Sequence, residues 1–354
     1  MITQIRVCLV GAGRAGQLHA ESLMQHIAEG QLVALVDPNY TTLEKTAARF
    51  GVESRFSSLA EAIDRVSFEA VIITTPTFTH RELAMLAAAH GKHIFCEKPM
   101  ALNMEDCDDM IAAVDGNRVL LQLGFMRRFD PDFEAAAARI EAGEIGKPML
   151  IKSLTHGPGL PPPWARDLQT SNGMLAEVNS HDWDTVRWLA HSDLQCVYAQ
   201  VSNFKGDQHR VTSPQFYDTA LANIRFESGT LASISGVCPC DYGYDARVEI
   251  VGEKGLLQIG DVRGQSLVIC TNREQGLMTP IFRSWRERFA SAYVREIKHF
   301  LQCIRTGSQP RVNGHDGRWA VAGVLAATMS FLENRSVQIS EVFERASAAR
   351  EVSR

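Results

Sequence analysis

Short apolar runs alternate with stretches of helical spacing over the first third of the chain. Residues 5–10 are β-rich and apolar, and a helical pattern follows the glycines at 11, 13 and 16 to about residue 28. Apolar runs at 32–36, 70–74, 93–96 and 119–123 predict four more buried strands. Helix starts fall between them. Ser58-Leu59-Ala60-Glu61 and Thr79-His80-Arg81-Glu82 read as capping boxes, and Asn103 caps a helix to about residue 114. This alternation predicts a doubly wound parallel sheet, with ligands at the carboxyl ends of its strands.

The pattern changes at Asp130-Pro131, an N-cap with proline at the first helical position, which opens a helix to about residue 141. Strands are predicted at 148–155, 194–204, 215–226, 230–238, 246–251 and 255–259. Glycine and proline make 156–164 a loop. Helices are predicted near 286–305 and 316–332, and the tail after Glu344 is expected to fray. The fold class expected is α/β: an N-terminal Rossmann domain, residues 1–125, and a C-terminal α+β domain, residues 126–354, on an open, mostly antiparallel sheet. The helix at 316–332 is a candidate to pack back on the first domain.

Residues 171–188 carry a further helical pattern, with Leu175, Val178, Val186 and Leu189 on one inward stripe. Glu177, His181 and Asp184 recur at i, i+4 and i+7, along one helix face. An imidazole between two carboxylates can take up a proton near neutral pH, which is what a general base needs. The alternative is a helix with a solvated charged stripe.

Composition narrows the function. Hydrophobic residues make up 45% and charged residues 22% of the 354, ordinary for a globular chain with a full core. A net charge of −5 without basic or acidic blocks argues against nucleic acid and membrane surfaces as partners. No apolar run is long enough to span a bilayer. The eight cysteines show no paired C-x-x-C, so reduced thiols are expected in a cytoplasmic protein, with no disulfide and no metal site.

The glycine triplet gains weight from its context. Strand, G-x-G-x-x-G, helix, second strand and Asp37 follow in the order of a dinucleotide site. Gly11 permits the tight turn, Gly13 lets a pyrophosphate approach the backbone, and Gly16 lets the helix pack on the strand. The amides around Arg14 and Ala15 open the helix, where the dipole favours phosphate. Asp37 should bind ribose hydroxyls and repel a 2′-phosphate, which favours NAD over NADP.

Glu97-Lys98-Pro99 after a strand of such a domain resembles the Gfo/Idh/MocA oxidoreductase family. Thr74-Thr75-Pro76 with His80, and the segment carrying Glu177 and His181, support the likeness. Gly124-Phe125-Met126-Arg127-Arg128-Phe129, Asp241-Tyr242-Gly243-Tyr244-Asp245 and Glu249-Ile250-Val251-Gly252-Glu253 are similar to its inositol 2-dehydrogenase branch. The resemblance implies NAD-dependent oxidation of a secondary hydroxyl of a cyclic polyol or sugar. It implies that Lys98 contacts both nicotinamide ribose and substrate, and that His181 is the base, with Glu177 where the family usually has aspartate. It adds Thr75, Pro76, His80 and Glu97 to the cofactor site, and Arg127, His156, Tyr242 and Tyr244 to the substrate site. Trp164 could stack on a sugar face or simply pack, and the tyrosines could instead be edge-strand residues with wet hydroxyls. A homo-oligomer, commonly dimers paired into tetramers, is also implied. Two alternatives stay open: a glycoside or sugar oxidoreductase that retains and recycles NAD(H), and a nucleotide-sensing regulator on the same fold.

Overall fold

The computed structural model describes residues 4–352 except 210, 212, 214 and 265–278. Contacts divide the chain into two units, Met1–Phe129 with Ser291–Val321, and Asp130–Ala290 with Ala322–Arg354. Residues 291–321 thus join the first unit: the start of the helix expected to pack back is among them, and residues 291–315, assigned to the second domain, come with it.

In the first unit the predicted alternation is realised. Strands β1 (Ile5–Val10), β2 (Gly30–Val36), β3 (Arg55–Phe56), β4 (Ala70–Ile73), β5 (His93–Cys96) and β6 (Leu121–Leu123) form one sheet in the order β3-β2-β1-β4-β5-β6. Every pairing in it is parallel. Parallel strands need crossovers, and helices α1 (Arg14–His26), α2 (Tyr40–Phe50), α3 (Leu59–Arg65), α4 (His80–Ala89) and α5 (Met104–Asn117) supply them. Val7, Leu9, Ile72 and Phe95 from the strands pack in one apolar core with Ile297, Phe300 and Leu301. Those last three residues explain why the late segment belongs to this unit.

The second unit opens with α6 (Pro131–Glu141), where Asp130 caps the amides of Asp132 and Phe133 as its sequence requires. Strands β7 (Pro148–His156), β8 (Leu194–Ser202), β9 (Thr219–Phe226), β10 (Leu231–Val237), β11 (Asp245–Gly252) and β12 (Leu256–Ile259) lie in a seven-stranded sheet, with a short β13 (Val337–Gln338) on its edge. The order is β12-β11-β7-β10-β9-β8-β13. All pairs are antiparallel except β7 with β10. Short helices α7 (Leu168–Ser171), α8 (Met174–Glu177) and α9 (Ser180–Ala190) follow β7. Later in the chain come α10 (Trp285–Arg288), α11 (Ala290–Thr306), α12 (Gly314–Glu333) and α13 (Ile339–Val352).

Two expectations are corrected here. The tail does not fray after Glu344, because α13 buries Ile339, Val342 and Ala346, and Glu341 is tied to Arg335 at 2.7 Å. Residues 171–188 are not one helix. Asn172 (φ 60) and Gly173 (φ 69) take left-handed backbone, and a second break falls at Val178-Asn179. The seven cysteines at 8, 96, 107, 196, 238, 240 and 303 are free thiols, and Cys270 lies outside the described residues.

Candidate functional site

The nucleotide turn is built by backbone constraint. At Gly11 (φ 98) a Cβ would lie 2.9 Å from the Thr74 backbone, and at Gly16 only 1.9 Å from the Gly11 carbonyl oxygen. No atom of the described residues lies within 4 Å of a Cβ at Gly13, which leaves that face of the turn open for a ligand. Thr74 Oγ1 donates to the Gly11 carbonyl at 2.8 Å and fixes the turn against β4. Asp37, at the end of β2, accepts the Ala12 amide at 2.8 Å on one oxygen and the Asn39 amide at 2.8 Å on the other. The acid is thereby held beside the turn, and Arg14 and Ala15 start α1 next to it.

The remaining first-unit residues lie at strand ends, as the doubly wound topology demands. Both ring nitrogens of the buried His80 are committed to carbonyls, Nε2 to Thr75 and Nδ1 to Pro99, each at 2.9 Å. His80 thus clamps the Thr75-Pro76 turn to the segment after Lys98. Burial lowers its pKa, against those two carbonyls, which favour the protonated ring. Glu97 is buried, and it accepts the Lys98 amide at 3.1 Å and pairs with His19 Nε2 at 2.7 Å. Lys98 itself is half-buried, whereas Arg127 is fully enclosed in the turn at 126–129. A Cβ on Gly124 would meet the Glu97 carboxyl at 3.1 Å, so the glycine after β6 makes room for that acid.

In the second unit, His181 stands in the first turn of α9 and is 6% exposed. Its neighbours Asp182 and Asp184 are buried as well, which rules out the solvated charged stripe. Glu177 is half-buried and ends α8, so it does not share a continuous helix with His181. The break has a cause. The Asn179 side chain leaves the helical path to donate to Asp182 Oδ2 at 2.8 Å and to the Ser235 carbonyl at 3.3 Å. Gly236 admits it, since a Cβ there would lie 2.1 Å from Asn179 Oδ1. Asp182 also accepts from Ser153 Oγ at 2.5 Å and Thr155 Oγ1 at 2.7 Å, and so pins the start of α9 to β7. Sequence reasoning missed Asp182. The signal was Ser153 and Thr155 at i, i+2 on a strand whose buried positions are otherwise apolar.

His156, at the end of β7, joins a second network. Its Nδ1 contacts the Tyr242 hydroxyl, and Nε2 lies 3.2 Å from Ser235 Oγ. Tyr242 donates to Asp245 at 3.1 Å, and Arg247 grips that buried acid at 2.7 and 2.9 Å. Burial lowers the His156 pKa, partly opposed by Asp245 and Asp182. Burial, with Asp245 beside it, raises that of Tyr242. The two tyrosines part company. Tyr242 is 47% exposed, while Tyr244 is 6% exposed and packs edge-on to Phe289. Neither is an edge-strand residue, because β11 begins at Asp245. Trp164 is half-buried in a single turn at Pro163–Arg166. No helix of the described residues is long and apolar enough to cross a membrane.

Comparison with known proteins matches this architecture over its length. The Gfo/Idh/MocA model described as an oxidoreductase family with NAD-binding Rossmann fold matches residues 5–125, and the model of the C-terminal domain matches residues 133–258. A scyllo-inositol 2-dehydrogenase (NAD(+)) of Bacillus subtilis is 34% identical over 95% of this chain and 96% of its own. A myo-inositol 2-dehydrogenase of Thermotoga maritima is 33% identical over 96% of this chain and 99% of its own. Among solved structures, scyllo-inositol dehydrogenase from Lactobacillus casei with bound NAD(H) and scyllo-inositol superposes with TM-score 0.87 at 26% identity, over 96% of this chain and 100% of that one.

Proposed function

Because this chain belongs to the Gfo/Idh/MocA oxidoreductase family, we propose that it oxidises a secondary ring hydroxyl of a cyclitol to a ketone with NAD. The observation that carries the cofactor is the Gly11–Gly16 turn: it is open at Gly13 and has Asp37 fixed beside it. Gly13, Arg14 and Ala15 would hold the pyrophosphate, Asp37 the adenosine ribose, and Thr75, Pro76 and Lys98 the nicotinamide end. When bound, NAD supplies the hydride acceptor. The substrate class follows the inositol dehydrogenases that resemble this chain from end to end.

The chain's own part is to move a proton and to stabilise charge. We assign the proton of the reacting hydroxyl to His181, with Glu177 orienting the imidazole or a neighbouring hydroxyl. Lys98 stabilises the developing alkoxide as a cation. His156, with Tyr242, supplies hydrogen-bonding groups for further ring hydroxyls, and Arg127, Trp164 and Tyr244 shape or support that site. In this reading residues 1–125 bind the cofactor, and 126–354 bind substrate and mediate assembly. Leu221 and Leu231 are exposed on the second sheet and offer a surface for a cytoplasmic homotetramer.

The test is a panel of inositols and aldoses assayed for NADH production, with NADP in parallel. We expect turnover with at least one inositol and higher kcat/KM with NAD. In Asp37→Ala the gap between the cofactors should narrow by about tenfold or more, since one lost charge interaction of that size is about 1.4 kcal/mol. Equal efficiency with both cofactors in the parent protein would sink the assignment of Asp37.

A further inference from the structure

Among the buried polar atoms of the first unit without a hydrogen-bond partner in the described residues are His19 Nδ1, Gln122 Oε1 and both carboxyl oxygens of Glu296. His19 comes from α1, Gln122 from β6 and Glu296 from α11, and each is 0% exposed. His19, Glu97 and Glu296 bring a nitrogen or oxygen each to within 4.8 Å of one another. Within this cluster the two acids are treated unequally. Glu97 receives His19 at 2.7 Å and the Lys98 amide at 3.1 Å. Only the backbone carbonyl of Glu296 is held, by Gln122 Nε2 at 2.8 Å.

Two carboxylates this close in a dry core cannot both stay ionised. The charge belongs on the acid that receives hydrogen bonds, and the proton on the acid that receives none. We propose that Glu296 is a positioning residue: it carries a proton as a neutral acid in this cluster, and so leaves a single negative charge, on Glu97, beneath the amide of Lys98. The surroundings agree. Burial, and then the charge of Glu97, push the Glu296 carboxyl well above the usual range. Burial would raise Glu97 too, but His19 and Lys98 outweigh it and hold that acid below its ordinary value. Among the described residues the titratable groups facing Glu296 are His19 from α1 and Glu97, with Lys98 next to it, from the end of β5. Tyr293 of α11 lies edge-on to the His19 ring at 5.7 Å, and Gln122 of β6 is neutral. Ionising Glu296 would set a second charge against Glu97 and loosen its grip on the peptide that carries Lys98. The proton does not depend on the proposed reaction, whereas the consequence for Lys98 rests on it.

Linkage supplies a test that needs no substrate. An acid whose folded pKa lies above its unfolded value gives stability that is complete below about pH 4.3 and is lost as pH rises through the folded value. Glu296→Gln, an uncharged isostere, escapes that loss. Melting the parent and Glu296→Gln without NAD, from about pH 5 to about pH 9, should show the variant gaining on the parent as pH rises. A difference that stays flat, or that shrinks with rising pH, overturns the proton. So does a melt that is sensitive to chelator with one divalent cation bound per chain. For the positioning role, calorimetry should show NAD affinity about tenfold weaker in Glu296→Ala and restored to within about threefold in Glu296→Gln. Unchanged affinity in Glu296→Ala overturns that role. Should the parent bind no NAD at all, the proposed function has failed, and the pH-dependent melt still decides the proton.

Discussion

Gly13 and Gly16 lie three residues apart and answer to different constraints. A methyl on Gly16 would sit 1.9 Å from a backbone oxygen that cannot give way, so Gly16→Ala must displace the turn itself. A methyl on Gly13 meets no atom of the described residues within 4 Å and would intrude on a ligand. We therefore expect Gly13→Ala to melt within about 1 °C of the parent yet bind NAD about tenfold or more weakly, and Gly16→Ala to lose both stability and binding. Thermal melts with calorimetric titration of NAD separate the two. Unchanged NAD affinity in Gly13→Ala would mean that the open face of the turn has no part in binding. Both roles were legible in the sequence, because strand, glycine spacing and Asp37 form a local pattern. The bracing by His80 and the enclosure of Arg127 were not, since each depends on residues brought together only by the sheet.

At the scale of elements, α9 shows where periodicity misleads. Spacing alone joined residues 171–188 into one helix, and no term in that pattern weighed what Asn179 gains by bonding across to β10. Glycine at 173 and asparagine at 172 were visible breakers, and the apolar stripe begins only after them, at Leu175. The strands suffered less, because their burial, continuous in β4 and β6 and alternating in β9, survives any error of one or two residues at the ends. The pinning of α9 is itself testable. Asp182→Ala strips three buried donors of their acceptor, Ser153, Thr155 and Asn179. Such orphaned groups cost about 1–3 kcal/mol each, and relaxation recovers part, so a loss of about 3 kcal/mol in urea unfolding is expected. A loss below about 1 kcal/mol would show that α9 is held by apolar packing alone. His181 lies on the adjoining residue, so turnover should fall with stability in this variant.

For the whole molecule, titration sets the range in which both units stand. Burial lowers the pKa of His93 and His156. Their folded values lie below their unfolded ones, so their contribution is present above about pH 6.5 and is lost as pH falls through the folded values. Glu296 acts in the opposite sense, which makes Glu296→Gln the cleaner background. There, the melting temperature should fall on acidification from about pH 6.5 to about pH 5, and a flat profile would contradict the burial of the neutral rings. A parallel first sheet, a mostly antiparallel second one and two domains were readable from pattern, whereas the strand orders and the return of residues 291–315 to the first unit were not. Amphipathic spacing shows that α11 has an apolar face but cannot show which core that face joins. The cluster of His19, Glu97 and Glu296 was hidden for the same reason, its members lying 78 residues apart at the closest. What the account claims above all is a hydride taken from a ring carbon while His181 removes the hydroxyl proton. The direct measurement uses scyllo- or myo-inositol deuterated at its ring carbons, NAD, and mass analysis of the reduced cofactor. The account predicts deuterium in the NADH formed by the parent protein, with the rate of formation about 10²- to 10⁴-fold lower in His181→Ala although NAD still binds. NADH without deuterium, or an undiminished rate in His181→Ala, would contradict it.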